Sequence, residues 1–296
     1  MRLCGHSGIL STDRTAAHFP LNLPPVCQKG RTDMPILEIS GLKKTYTTRL
    51  GGNSVEALRN VSFTAERGEF IAIMGESGSG KTTLLNILAA LDKPTGGSVI
   101  LDGMDLSRIS DKKLADFRRE NLGFVFQEFN LLDTFTVRDN VLLPLVLAGE
   151  KYSQMQPKLE KTASMLGITP LLDKYPYEIS GGQKQRTAAA RAIISDPKLL
   201  LADEPTGALD SRSSDELLAL FRDINRSGQT ILMVTHSAKA ASRAGRVLFI
   251  RDGAVFHQLY RGNLSDDEFY RRITDALTLL SSASQDVTSI RREGER

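Results

Sequence analysis

The chain has 296 residues and a net charge of only +3, from 38 Lys and Arg against 35 Asp and Glu, so it lacks the electrostatic footprint of a nucleic-acid binder. No apolar run approaches the roughly 18 residues needed to span a membrane; the longest, Val141 to Ala148, is short and interrupted by Pro144. Both cysteines, Cys4 and Cys27, fall within the first 33 residues, so no disulfide framework or cysteine metal site is expected to hold the remainder, and a cytosolic compartment is the expected one.

Residues 1–33 carry prolines and scattered polar residues without sustained periodicity, and they lack the apolar core of a signal peptide. They read as a disordered extension or as an upstream start, with translation beginning at Met34. Met34-Pro35-Ile36-Leu37-Glu38-Ile39 opens a strand. Alternating apolar residues from Ile36 to Phe63 predict antiparallel strands, with a turn at Gly51-Gly52-Asn53. Tyr46, between these strands, is an aromatic that can stack on an adenine ring; alone, it reads as an ordinary half-buried strand tyrosine.

Next comes the most informative stretch. Phe70-Ile71-Ala72-Ile73-Met74 is a buried-strand pattern, and Gly75-Glu76-Ser77-Gly78-Ser79-Gly80-Lys81-Thr82 fits G-x-x-x-x-G-K-[ST]. Thr83 to Leu91 reads as a helix. Strand, glycine loop and helix N-terminus together make an anion site, because backbone N–H groups and the helix dipole point at one place. Lys81 can reach the β- and γ-phosphates, and the Thr82 hydroxyl can ligate Mg²⁺.

Further on, Gly96 to Gly103 reads as turn, strand, turn, and Leu122 to Phe126 as a buried strand ending on Gln127. Residues 128–195 turn helical, with helical spacing of apolar residues over Val137–Leu147 and Leu159–Leu166. Ser180-Gly181-Gly182-Gln183 caps another helix, a second N-terminus with exposed N–H groups and so a second candidate phosphate site. Leu199 to Ala202 is a strand ending in two carboxylates. Asp203 can act on Mg²⁺, and Glu204 can orient or deprotonate a water aimed at the γ-phosphate. Thr230 to Thr235 is a buried strand ending on His236, a polar residue placed to contact the same phosphate. Phe269, Ile273, Leu277 and Leu280 fall near helical spacing and predict a C-terminal helix whose apolar stripe packs on the rest, with residues 281–296 frayed.

From about Pro35 to Gly253 these pieces, in this order, resemble the ATPase subunit of ABC transporters. Tyr46 matches the adenine-stacking aromatic, Gly75–Thr82 the Walker A loop, Gln127 the Q-loop, and Ser180–Gln183 the family signature, with Ile179 where leucine is commoner. Leu199–Asp203 matches Walker B, Glu204 the catalytic glutamate, Gly207-Ala208-Leu209-Asp210 the D-loop and His236 the switch histidine. A narrower resemblance, to the branch of macrolide exporters, lipoprotein-release ATPases and bacitracin-type peptide-resistance ATPases, rests on Phe126–Leu132, Asn140–Leu145 and Pro205–Ser211. Within that branch, Val247–Gly253 and Asp267–Ile273 look most like the bacitracin type.

The resemblance implies an α/β phosphate-loop NTPase fold of ABC type: a mixed sheet core, an antiparallel β subdomain and an α-helical subdomain. It implies an ATPase domain at 34–262, with its helical part at about 128–195, and a C-terminal helix with a frayed tail at 263–296. ATP and Mg²⁺ are the implied cofactors. Glu204, His236, Gln127 and Lys81 would be catalytic, and Thr82, Gln127 and Asp203 would hold the metal. Tyr46, Gly75 to Thr83, Ser180 to Gln183 and Asp210 would contact the nucleotide. The implied partners are a second copy of the chain, head to tail across two ATPs, and an integral-membrane permease at the cytoplasmic face of a bacterial plasma membrane. A regulatory reading adds a sensor histidine kinase. Non-transport ABC ATPases fit less well: the translation-factor type carries two cassettes in one chain and the DNA-repair type a long coiled-coil insert, and neither is present.

Overall fold

The computed structural model describes residues 34–47 and 54–293, with side chains as far as Leu279. The extension 1–33 with its cysteines, the expected turn at Gly51–Asn53 and residues 294–296 lie outside the described residues.

The chain opens with β1 (Leu37–Thr47), β2 (Ser54–Ala65) and β3 (Phe70–Met74), then α1 (Lys81–Leu88), β4 (Gly96–Leu101) and β5 (Met104–Asp105). There follow α2 (Asp111–Asn121), β6 (Leu122–Val125), α3 (Val137–Leu147), α4 (Tyr152–Met165) and α5 (Gly181–Ile193). The last part holds β7 (Leu199–Asp203), α6 (Ser211–Arg226), β8 (Ile231–Val234), α7 (Ala238–Ala241), β9 (Arg246–Arg251), β10 (Ala254–Tyr260) and α8 (Asp266–Glu293).

The strands join in one mixed sheet of order β5-β4-β1-β2-β10-β9-β3-β8-β7-β6. β1, β2, β4 and β5 pair antiparallel, as the alternation after Ile36 predicts. β9, β3, β8, β7 and β6 run parallel. The parallel strands are almost wholly buried because helices or strands cover both faces, so they read as near-unbroken apolar runs; β3 and β8 are buried throughout, while Phe124 of β6 and the last residues of β7 and β9 are half-buried. Their side chains still alternate. Phe70, Ala72 and Met74 join one core with α3 to α8, while Ile71 and Ile73 join a second core with α1, β1, β2 and β4.

The structure departs from the sequence reading at several places; β10, for one, was not anticipated. α2 was not anticipated: it is mostly charged, and only Leu114 and Phe117 mark an apolar side. Helix does not begin at residue 128; a loop runs to Thr136, and α3 starts at Val137 under a Thr136–Asp139 capping box. Fully buried Asn140 holds that loop, its amide donating to the carbonyls of Leu132, Phe135 and Thr136 and accepting from the Leu132 N–H. At the C-terminus α8 continues as backbone helix to Glu293, where fraying was expected from 281, and no glycine or proline interrupts it. As expected, its stripe packs inward: Phe269 and Ile273 are both 0% exposed, and Leu277 lies against the same core.

Truncating Phe269 to alanine should therefore cost about 3–5 kcal/mol, the range for emptying a closed aromatic site. Urea unfolding of the full chain measures it, and a loss below about 1 kcal/mol would mean that α8 is not part of the cooperative fold.

Candidate active site

Register decides which residues meet. Ile73 pairs with Val234, Val234 with Asp203, and Ala202 with Val125. Four neighbouring strands thus end together, delivering the glycine loop, His236, Glu204 and Gln127 to one edge of the sheet.

The loop after β3 is pressed against its neighbours. A Cβ on Gly75 would lie 2.2 Å from the Ile250 carbonyl oxygen, and one on Gly80 2.5 Å from that of Ala57. Gly80 also has φ 101°, a conformation that side chains resist. It precedes α1, whose first turn carries neither a side-chain cap nor an acidic residue. The leading N–H groups of α1 are therefore left for an anion. Lys81 Nζ donates to the carbonyls of Gly75 and Glu76, both at 2.8 Å. Burial holds its pKa below the usual lysine value, and the charges of Glu204, Asp203 and Glu76 oppose that shift.

Across the cleft, the Asp203 carboxyl is pushed up by burial and by the adjacent Glu204 charge, against the pull of Lys81. Glu204 leaves the strand with φ 45°, its N–H bonded to the Val234 carbonyl at 2.9 Å. Its carboxylate meets His236 twice: Nδ1 lies 2.9 Å from Oε1, and the His236 N–H donates to Oε2 at 3.3 Å. These groups share a cleft of about 490 Å³, lined by Gly75, Ser77, Gly78, Gly80, Lys81, Thr82, Thr83, Asp203, Glu204 and His236, with Val55, Glu56 and Ala57 of β2 at its side.

The other predicted residues stand elsewhere. Glu76 and Ser79 do not line the cleft: Glu76 gives its carbonyl to Lys81, and the buried Ser79 hydroxyl has no hydrogen-bond partner. Tyr46 is half exposed beside Thr83. Its hydroxyl donates to Asp92 at 2.7 Å, and Lys44, itself bonded to Asp92 at 2.5 Å, places Nζ 4.8 Å from the ring centroid. Burial and that bond to Asp92 raise the Tyr46 pKa. Gln127 packs on the turn after Glu204, where a Cβ on Gly207 would come within 2.9 Å of its Cδ.

Ser180–Gln183 and Asp210 form a separate group outside the cleft. Ser180 Oγ accepts from the Gln183 N–H at 3.3 Å, and Gln183 Oε1 accepts from the Ser180 N–H at 2.9 Å. This reciprocal cap narrows the expectation of exposed N–H groups: Gln183 is spent on the cap, leaving the N–H groups of Gly181 and Gly182 and the Ser180 hydroxyl proton. Asp210 caps α6, accepting from the Arg212 and Ser213 N–H groups at 3.0 Å and from Ser213 Oγ at 2.7 Å, and these bonds, the Ser213 N–H first, hold its pKa down. A Cβ on Gly182 would lie 2.8 Å from Ser213 Oγ, so the two caps abut.

Residues 58–207 match the ABC transporter family. Over 257 residues the chain is 48% identical to the ABC transporter ATP-binding protein YxdL of Bacillus subtilis (strain 168), covering 86% of this chain and 98% of that one. The chain belongs to the ABC transporter family. It is 47% identical over 254 residues to the bacitracin export ATP-binding protein BceA of Halalkalibacterium halodurans, covering 86% of this chain and all of that one. The dimeric structure of the MJ0796 ABC transporter cassette matches with a TM-score of 0.69 at 37% identity, over 76% of this chain and 98% of that one. The same cassette has been solved in a post-hydrolysis state bound to ADP and Pi. The cassette described here has the ABC ATPase fold and is the ATP-binding, ATP-hydrolysing subunit of a transporter.

Three supports of the cassette's site escaped sequence reasoning: the Lys44–Asp92 pair behind Tyr46, and Gln185 and Arg191 on α5. Gln185 left a trace, since it shares a helix face with Ala188, Ala189 and Ala192, an apolar face on which a polar residue is out of place.

Replacing Tyr46 by alanine should weaken ATP binding by about 1 kcal/mol, the scale of an aromatic stack. Tyr46→Phe keeps the ring over Lys44 and should stay within about 0.5 kcal/mol of the parent. Titration calorimetry with ATP measures both, and unchanged affinity in the alanine variant would make the tyrosine a strand residue only.

Proposed function

We propose that this cassette works as a homodimer that closes around two ATP molecules and drives a membrane permease in antimicrobial-peptide resistance of the bacitracin type. The observation that carries the dimer is the separation of the two anion-ready helix ends. The N-terminus of α1 lines the cleft with Asp203, Glu204 and His236, whereas Ser180–Gly182 lie outside it, so a second chain must bring its α5 to complete the site. The dimeric form of the MJ0796 cassette supports this reading.

In it, the loop N–H groups and Lys81 hold the phosphates, Tyr46 the adenine, and the partner's α5 end the γ-phosphate from the far side. Glu204 orients and accepts a proton from the attacking water, while His236 holds that carboxylate from the next strand and, with Gln127, senses the γ-phosphate. Thr82, Gln127 and Asp203 would hold Mg²⁺, which when bound neutralises phosphate oxygens. Among the described residues no three His, Cys, Asp or Glu side chains converge as a metal site. One hydroxyl, one amide oxygen and one carboxylate are the sparse, all-oxygen donor set that suits a magnesium ion held also by phosphate and water. Residues 34–262 form the ATPase unit, and α8 is an addition packed on it.

Among the described residues no helix is long and apolar enough to cross a membrane. In this reading a permease supplies the membrane part and the cassette sits at the cytoplasmic face of a bacterial membrane, as its likeness to bacterial ABC transporter ATP-binding proteins supports. The docking place is a groove of about 450 Å³ between α2, β6 and α3, lined by Leu91, Phe124, Phe126, Leu143 and Leu147 and edged by Arg118 and Arg119. Leu91 and Leu147 are 58% and 62% exposed there, and Phe124 stacks on Phe126 at 5.7 Å. An exposed apolar floor with a basic rim suits a short amphipathic helix with acidic ends. Similarity to BceA, at 47% identity, supports bacitracin-type cargo, and a sensor histidine kinase would join the same complex.

Glu204→Gln should bind ATP, lose about 10²- to 10⁴-fold in turnover and elute as a dimer with Mg-ATP on size-exclusion chromatography. Adding Gly181→Asp should return it to monomer. A Cβ at 181 would meet nothing closer than 3.8 Å, so the substitution starts without a clash in its own chain and sets a negative charge against the partner's phosphate. A dimeric double variant would overturn the cross-chain role of the α5 end. Separately, Leu147→Glu should cut capture of the permease by about tenfold or more while ATP affinity of the isolated subunit stays at the parent value; undiminished capture places the docking surface elsewhere.

A further inference from the structure

Gln185 is fully buried on the inner face of α5, and its amide spends both hydrogens outside the helix. Nε2 donates to the Phe126 carbonyl at 3.0 Å and to the Pro205 carbonyl at 2.8 Å. Phe126 immediately precedes Gln127, and Pro205 immediately follows Glu204. Two carbonyl acceptors fix the amide orientation, so Oε1 points the other way, where it is buried without a hydrogen-bond partner. An unsatisfied buried oxygen works against stability, so core packing alone gives a poor account of this side chain.

The two accepting carbonyls lie just past the point where backbone pairing stops. The ladder between β6 and β7 ends at Val125 and Ala202, and Pro205 has no N–H with which to extend it. Gln185 takes over at that point as a bridge between the diverging ends. A second α5 side chain works on the same loop: Arg191 donates to the carbonyls of Asn130 at 2.6 Å and Phe129 at 3.0 Å, residues with φ of 50° and 59°. Gln127 itself packs on Gly207. The Gln127 loop and the Glu204 turn are therefore hung from α5, the helix whose N-terminus carries Ser180–Gly182.

We propose that Gln185 is a positioning residue for hydrolysis, holding Gln127 and Glu204 at a fixed spacing and tying both to the helix end that meets the second copy's ATP. The inference rests on the roles assigned above to Gln127 and Glu204. A shift of α5 on dimer closure then moves both loops as one body, and contact made across the dimer sets the geometry of the carboxylate in its own cleft.

The test is Gln185→Met, which keeps length and volume and removes both donors and the unpaired oxygen. Expected are an unfolding midpoint at or above the parent's, ATP affinity within about twofold of it, and kcat lower by about tenfold or more, since a small misplacement of reacting groups suffices. Hydrogen exchange should rise at residues 126–130 and 204–207 together and stay unchanged in β3 and β8. Parental kcat, or raised exchange spread through the core strands, overturns the proposal. If Gln185→Met does not fold, Gln185→Asn serves: it keeps the amide but is one methylene too short to span both carbonyls, and the same kcat loss at unchanged ATP affinity is expected, with parental kcat overturning the proposal. Glu204→Gln measured in parallel separates the claims. If it retains turnover, the assignment of Glu204 fails; if it loses turnover while Gln185→Met keeps it, the bridge alone fails.

Discussion

The in-register pairing of β3, β8, β7 and β6 is the constraint on which the rest depends. Each strand is only four or five residues long, yet each must end level with its neighbours for a lysine, two carboxylates and a histidine to meet. Because both faces of these strands are packed, a slip of one residue would exchange Ala72, Ala202 and Met233 on one face for Ile73, Leu201 and Leu232 on the other. The two cores differ in the size of side chain they accept, so the register that fills them also aligns the site. The carboxyl edge of a parallel sheet is where helix N-termini and loops converge, and the glycine loop occupies that edge.

Neither Lys81 nor Asp203 makes an ion pair there. Lys81 bonds to two carbonyls of its own loop while three carboxylates pull on it from a distance. Asp203 and Glu204 are adjacent in sequence but differently held. Asp203 stays in line with its strand, partly buried, and its proton affinity is raised by that burial and by its neighbour. Glu204 is turned aside to His236. Two like charges in one cleft with a single lysine leave room for added cationic charge, and a triphosphate with its cation brings both signs at once.

Much of this was legible in the sequence because the parallel strands are short, apolar and mostly buried, leaving little ambiguity of period or place. The glycine loop was legible because steric demand leaves only glycine at Gly75 and Gly80. What escaped was whatever depends on side chains reaching between elements. Gln185 lies two residues after the capping Gln183 and looks like another polar residue of an exposed first turn; its alanine neighbours hint at an inward face, but the carbonyls it reaches belong to distant loops that only the packing of α5 brings near. α2 escaped because two apolar residues among nine others carry almost no periodicity. The loop before α3 escaped because its order comes from Asn140, a residue whose composition signal is that of a turn.

Glu204 shows how local strain and long-range order share one purpose. A non-glycine residue in left-handed backbone costs about 1–3 kcal/mol and persists only where its surroundings over-determine it. Here they do: the Glu204 N–H is bonded to Val234, its carbonyl accepts from the Gly207 N–H at 2.9 Å, and the next carbonyl, that of Pro205, accepts from Gln185. Continuing as a strand, the chain would have carried residue 204 to the opposite face from Asp203. The left-handed turn instead swings its carboxylate back toward β8, within reach of His236. Without that turn, two successive residues of one strand could not both serve one cleft. The hydrogen bonds that hold it come from three different elements, so the carboxylate's position reports on the packing of β8 and α5 as well as on its own strand.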